Sequence, residues 1–201
     1  MKVDFATLSA QDAYRWLAST VTPRPIAWVS TRSAQGVDNL APFSFFQVVS
    51  DEPPTLLVTI NLRDDGSAKD TLNNVQASGE LVIQLVNAEQ AQWMNQTAEV
   101  LPAEVSEFAH CTVPSVPAEQ VKALRVRGAP VAFECRAAQI LPYPSENPSG
   151  YLVFAQVLLA HIDDQVLTEQ GRVDPARLDL VGRLGGSDYC TTQERFQMQR
   201  P

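Results

Sequence analysis

Ile26-Ala27-Trp28-Val29-Ser30-Thr31, the polar turn from Arg32 to Gly36, and the resumption from Asn39 to Ser50 decide the fold. The first run is short, β-branched and aromatic. The second carries Phe43, Phe45, Phe46, Val48 and Val49, so the two read as strands of a hairpin. Asp51-Glu52-Pro53-Pro54 breaks the second strand. Thr55 to Asn61 then forms another, whose nearly continuous apolar character predicts burial on both faces.

Outward from this hairpin the chain adds a few short helices and further strands. Ser9 followed by Asp12 starts a helix through Ala13 to Ser19, ended by Thr22-Pro23. After the turn Arg63 to Gly66, Ser67 with Asp70 three residues on marks a helix running towards Gly79. Glu80 to Val86 reads as a strand and Ala88 to Ala98 as a helix. Pro102 to Pro117 reads as an irregular excursion with one short helical turn near Glu107. Val131 to Leu141 and Gly150 to Ile162 are the longest strands, joined by the turn-rich Pro142 to Ser149. Helices and strands do not alternate as a doubly wound sheet requires, and no fixed-period repeat is present. A mainly β, antiparallel, closed or partly open barrel with peripheral helices is expected.

The chain has 201 residues, 45% of them hydrophobic, enough for one substantial core, and a single domain over 1–201 is expected. No secretory signal or membrane-length apolar run is read from it. Cys111, Cys135 and Cys190 are scattered, cannot all pair, and fit a reducing cytoplasm. A formal net charge of −8 argues against sequence-independent nucleic-acid binding. An anionic ligand therefore needs a local basic pocket, and only Lys2, Lys69 and Lys122 supply lysine.

The candidates for chemistry follow from these limits. No dinucleotide or Walker glycine spacing occurs, and Gly182-Arg183-Leu184-Gly185-Gly186 reads as a turn without a strand before it. With Ser67 as N-cap, Lys69 and Thr71 fall in the first helical turn, where free N–H groups, an ammonium and a hydroxyl make a phosphate cradle. An ordinary surface helix start with a solvated lysine is the alternative. Arg24, fixed between Pro23 and Pro25, reads either as a ligand edge or as a rigid strand entry. Pro42 inside a strand marks an edge or a bulge, leaving backbone beside Ala41 and Ser44 free for the heteroatoms of a flat ring. The phenylalanines read as core or as ring neighbours. His110 and His161 lie in no metal-ligand spacing and beside no nucleophile motif, so both read as structural and no catalytic side chain is assigned. A cofactor is then expected to carry the chemistry.

Taken together, several segments resemble the flavin-reductase-like, FMN-binding split-barrel family in order and spacing. They are Thr22 to Thr31, Gly36, Asn39 to Phe46, Asp51 to Pro54, Arg63, Lys69 to Thr71, Asn74, Gly79 to Ile83, and Gly182 to Gly186 with Tyr189. The resemblance implies a Greek-key-like split barrel that dimerises and binds FMN. By position, Arg24, Ile26, Ala27, Asn39, Ala41, Pro42 and Ser44 would surround the ring and ribityl chain. Arg63, Lys69 and Thr71 would hold the phosphate, and Tyr189 would approach from the C-terminal segment. It further implies hydride transfer from NADH or NADPH, with electrons passed to free flavin, oxygen or a protein partner. A non-catalytic FMN electron carrier and a cofactor-free β-barrel interaction module remain as alternatives. Residues 99–123 match nothing distinctive.

Overall fold

The computed structural model describes residues 1–199 and 201. The chain opens with α1 (Ala10–Thr20), started by Ser9, whose hydroxyl accepts from the Asp12 N–H at 3.1 Å. The short β1 (Arg24–Pro25) leads into β2 (Ala27–Arg32), β3 (Asp38–Phe43), β4 (Phe46–Asp51) and β5 (Pro54–Asn61). There follow α2 (Asp70–Ser78), closed by left-handed Gly79, then β6 (Glu80–Leu85), a 3₁₀ turn at Ala88–Gln90, and α3 (Ala91–Gln96). The excursion contains α4 (Glu107–His110) and a small hairpin of β7 (Ser115–Pro117) and β8 (Leu124–Val126). The long strands β9 (Val131–Tyr143) and β10 (Gly150–Ile162) come next, then α5 (Pro175–Leu178), β11 (Val181–Arg183) and β12 (Tyr189–Thr191).

The main sheet is seven-stranded and antiparallel, in the order β3-β2-β6-β9-β10-β5-β4. Its two edges, β3 and β4, are consecutive in the chain. The stretch expected as one strand from Asn39 to Ser50 bends at Ser44-Phe45 and changes partner, β3 pairing with β2 and β4 with β5. The Thr59 N–H donates to the Phe45 carbonyl at 2.8 Å, extending the β4–β5 ladder into the bend, and because only Ser44-Phe45 separate the two edge strands the sheet rolls into a split barrel. Inside lie Ala27, Val29, Val58, Ile60, Leu81, Ile83 and Val153, all without exposed surface, with Leu72 and Val75 of α2 packed against them.

Burial on both faces belongs to β2 rather than to β5. Trp28, on the outer face of β2, is covered by Met94 of α3 and Phe108 of α4, and its indole N–H donates to the Thr97 hydroxyl at 2.8 Å. In β5, Leu56, Val58 and Ile60 are buried, whereas Leu57 and Thr59 on the other face are only partly covered. The glycine cluster is a turn only from Leu184 to Gly186; Gly182 and Arg183 belong to β11, which pairs with β1 and with β12. A Cβ at Gly185 would lie 2.5 Å from the Ser19 hydroxyl, and one at Gly182 would lie 3.0 Å from Pro23 and from the Cys190 sulfur. Only glycine lets this hairpin press against α1 and the Thr22–Pro25 segment. No helix among the described residues is long and apolar enough to cross a membrane.

Candidate functional site

Leu40 fixes the orientation of the edge strand that builds the site. Its N–H points away from β2 and donates to Glu107 at 2.9 Å. In an antiparallel ladder the residue two further on has the same orientation, so Pro42 stands where its missing N–H removes no bond to β2. The outward edge of Pro42 to Ser44 is thus left for something other than a strand.

Three adjoining cavities run along this edge. One of about 280 Å³ is lined by Tyr14, Ile26, Pro42, Phe43, Ser44, Asn95, Arg183 and Tyr189. A second, of about 170 Å³, includes Tyr14, Pro42, Phe43, Ser44, Asn61 and Lys69. A third, of about 130 Å³, includes Asn39, Ala41, Pro42, Arg63, Lys69, Asp70, Thr71 and Glu107. Shared walls at Pro42 and Phe43 make them one trough with an aromatic end and a basic end.

The basic end is not the helix start expected. Ser67 stays in the preceding turn, where its N–H donates to Asp65 at 2.8 Å and its carbonyl accepts from Arg63. The N-cap position falls on Lys69, in extended backbone, and the first helical residue is Asp70. Asp70 does not cap backwards but accepts from Arg63 at 2.7 Å, while the same guanidinium also donates to the Ala68 carbonyl. Lys69 is half-buried and has no ion pair among the described residues. Burial, and the Arg63 charge beside it, push its ammonium pKa below the usual lysine range.

Thr71 lines the basic end of the trough and belongs to a buried polar chain. Its hydroxyl donates to the Asn39 side-chain oxygen at 2.7 Å, and Thr31 donates to the same oxygen at 3.3 Å. The Asn39 amide donates to both oxygens of Glu107 at 3.0 Å, and Asn74 donates to Thr31 at 3.0 Å. Glu107 is buried, and desolvation raises its pKa above the usual carboxylate range against these hydrogen bonds. Glu107 also lines a cavity of about 350 Å³ with Gln35, Asn73 and Glu104.

Of the residues singled out in the sequence, Asn39, Ala41, Pro42, Arg63, Lys69 and Thr71 meet at the basic end. Ile26, Pro42, Ser44 and Tyr189 meet at the aromatic end. Ala27 faces the barrel core and has no exposed surface. Arg24 is buried and donates to the carbonyls of Ala18 at 2.5 Å, Val21 at 2.7 Å and Leu184 at 3.0 Å, tying α1 to the C-terminal hairpin. Glu107, Tyr14, Asn95 and Arg183 also line the trough, and the Arg183 guanidinium stacks 4.4 Å above the Tyr189 ring. Of these, Glu107 left a trace in the sequence as a short helical turn and Arg183 as part of the glycine cluster, whereas Tyr14 and Asn95 were marked only as positions within expected helices.

The family model described as a flavin reductase like domain matches residues 19–176, and therefore every strand of the main sheet. The chain belongs to the flavin reductase-like family. A relative from Aquifex aeolicus, described as an uncharacterized protein, is 39% identical over 88% of each chain. Another, from Halalkalibacterium halodurans, is 34% identical over all of this chain and 97% of its own. Nitrilotriacetate monooxygenase component B from Bacillus cereus superposes with a TM-score of 0.93 at 27% identity, covering 98% of each chain. The 2-nitrobenzoate 2-nitroreductase of Pseudomonas fluorescens gives 0.89 at 25% identity over 100% of this chain and 96% of its own.

Proposed function

We propose that this flavin reductase-like protein binds FMN in the trough and works as an oxidoreductase, taking a hydride from NADH or NADPH and passing electrons to free flavin, oxygen or a protein partner. The observation that carries the reading is Lys69, half-buried and free of an ion pair among the described residues, at the junction of two cavities walled by Pro42 and Phe43. The donor set fits a flavin mononucleotide: a cation at one end, an aromatic cavity at the other, and strand backbone facing outward between them. Arg63 fits as a support, since Asp70 already engages it. Bound there, FMN would supply the hydride-accepting ring, and the protein would orient it and exclude water. Tyr14, Arg183 and Tyr189 would flank the ring, and Lys69 would meet the phosphate.

Similarity to a protein described as a monooxygenase component supports a protein acceptor. A cytoplasmic homodimer completes the reading. Its surface is not the phenylalanine cluster, since Phe43 is buried and Phe45 and Phe46 are partly covered. It is the exposed edge strand β4, where Val48 and Val49 are 73% and 45% exposed, with Leu17 and Val21 of neighbouring α1 and its end.

Titration of the purified protein with FMN and riboflavin, followed by flavin fluorescence, tests the site. Tighter binding of FMN is expected, and equal affinity would count against a phosphate end. Steady-state oxidation of NADH and NADPH tests the reaction. Flavin binding without turnover would make the protein an electron carrier instead.

A further inference from the structure

Glu107 comes from α4, in the excursion between α3 and β7, yet it reaches the floor of the trough. Its carboxylate accepts from the Leu40 N–H at 2.9 Å and from the Asn39 amide at 3.0 Å on each oxygen. An ionised carboxylate can only accept, so it dictates which way the Asn39 amide faces. The Asn39 oxygen is thereby turned towards Thr71 and Thr31, and Thr71 gives it its single hydroxyl proton at 2.7 Å. Asn74 fills the remaining place on Thr31 at 3.0 Å, which closes the chain. Thr71 is left with lone pairs and no proton for a ligand in the trough.

Charge points the same way. Of the two cations at the basic end, Arg63 is neutralised by Asp70 at 2.7 Å. That leaves Lys69 as the one cation of this cavity without an ion pair among the described residues, and a single ammonium, its pKa lowered by burial and by Arg63 beside it, is a weak anion site.

We propose that Glu107 is a positioning residue that detunes the phosphate end of the trough by turning the Thr71 proton away from the ligand, so that flavin is held exchangeably rather than as a fixed prosthetic group. The inference rests on the FMN reading of the trough. It gives residues 99–123 a role: they deliver the group that sets flavin affinity.

The decisive variant is Glu107→Gln, which keeps shape and reverses hydrogen-bond polarity. The glutamine oxygen still accepts from Leu40, and its amide donates to an Asn39 flipped to match. Asn39 then donates to Thr71, whose proton becomes free for the trough. Binding of FMN and riboflavin would be measured for both proteins by flavin fluorescence, with thermal melting as the folding control. FMN should bind about tenfold or more tightly to the variant, as a gained hydrogen bond to a charged group implies, with riboflavin unchanged within about twofold. A structural prop would lose affinity instead, so weaker FMN binding, or equal change for both flavins, overturns the proposal. Should the variant not fold, Thr71→Val carries the test. If the Thr71 proton is turned inward, FMN and riboflavin respond alike, whereas a selective loss of FMN by about tenfold overturns the proposal. Wild-type protein that binds neither flavin would bring down the reading of the trough itself, and the inference with it. Wild-type binding with no gain in Glu107→Gln would bring down the inference alone.

Discussion

Arg63 and Asp70 are joined at 2.7 Å across the mouth of the basic cavity, and this pair assigns different roles to the two neighbouring cations. Arg63, also donating to the Ala68 carbonyl, braces the turn that precedes α2. Lys69, between them in the cavity wall, keeps its charge for a ligand. Holding the N-cap position at Lys69 rather than two residues earlier is what brings the ammonium to the trough.

Lys69→Ala should weaken FMN binding by about 10- to 150-fold, the equivalent of losing one hydrogen bond to a charged group, and should leave riboflavin nearly unaffected. Lys122→Ala is the control, because that lysine is exposed on the excursion far along the chain. Parallel fluorescence titrations compare the four combinations. An equal loss of both flavins in Lys69→Ala would mean that Lys69 does not meet the phosphate.

Arg24→Ala should act through stability rather than ligand affinity. The guanidinium is buried and serves the carbonyls of Ala18, Val21 and Leu184, which would be left without donors at a cost of roughly 2–3 kcal/mol. Arg24→Lys should not restore it, since one ammonium cannot reproduce the planar fork. Chemical denaturation measures the loss. Native-like stability in either variant would show that these bonds are not holding α1 to the hairpin.

Val48→Lys tests the dimer surface. Val48 is 73% exposed on edge strand β4, so a charge there should change the stability of a monomer by no more than about 0.5 kcal/mol. Placed against a second copy, the same charge is desolvated and should separate the protomers. Sedimentation velocity at micromolar concentration should show a dimer for the natural sequence and a smaller species for the variant. A monomer in both would remove β4 as an interface.

What the sequence made legible, and what it did not, follows physical lines. The β2–β3 hairpin from Ala27 to Phe43, the capped helix at Ser9 and the long strands β9 and β10 depend on local patterning, and they stand where that patterning places them. The partner change at Ser44-Phe45 was hidden because it depends on which strands lie at opposite edges of a rolled sheet. The edge position of Pro42 could be read from a missing N–H, whereas the outward direction of Leu40 needed its partner, Glu107, distant in sequence. Arg24 carried both of its readings until the Leu184 carbonyl, 160 residues away, showed where its donors go. Strands β7, β8, β11 and β12 are three residues each, too short for a period-2 pattern to register.

Glu134 carries the pH prediction. It has no exposed surface, yet it accepts from the Glu119 N–H at 2.9 Å, from the Gln120 N–H at 2.5 Å and from His161 at 2.6 Å. Burial by itself would raise its pKa, but these hydrogen bonds and the neighbouring His161 outweigh it and hold the carboxyl below the usual carboxylate range. A folded-state pKa below the unfolded value means that the unfolded chain binds the extra proton. Glu134 therefore stabilises the fold above the unfolded carboxylate range, and that contribution is lost as pH falls through its depressed folded value. Glu107, pushed upward by burial, has the opposite sign: it holds stability down at neutral pH and returns it as pH falls through its raised folded value. Denaturant unfolding at successive pH values should therefore show an acid loss of stability that is reduced in Glu134→Gln. At neutral pH the same variant should lose on the order of 3 kcal/mol, because His161 and the two N–H groups face an amide in place of a carboxylate. An unchanged acid limb in Glu134→Gln would show that the segment from Glu119 to Gln120 is held to the barrel by something other than this carboxylate.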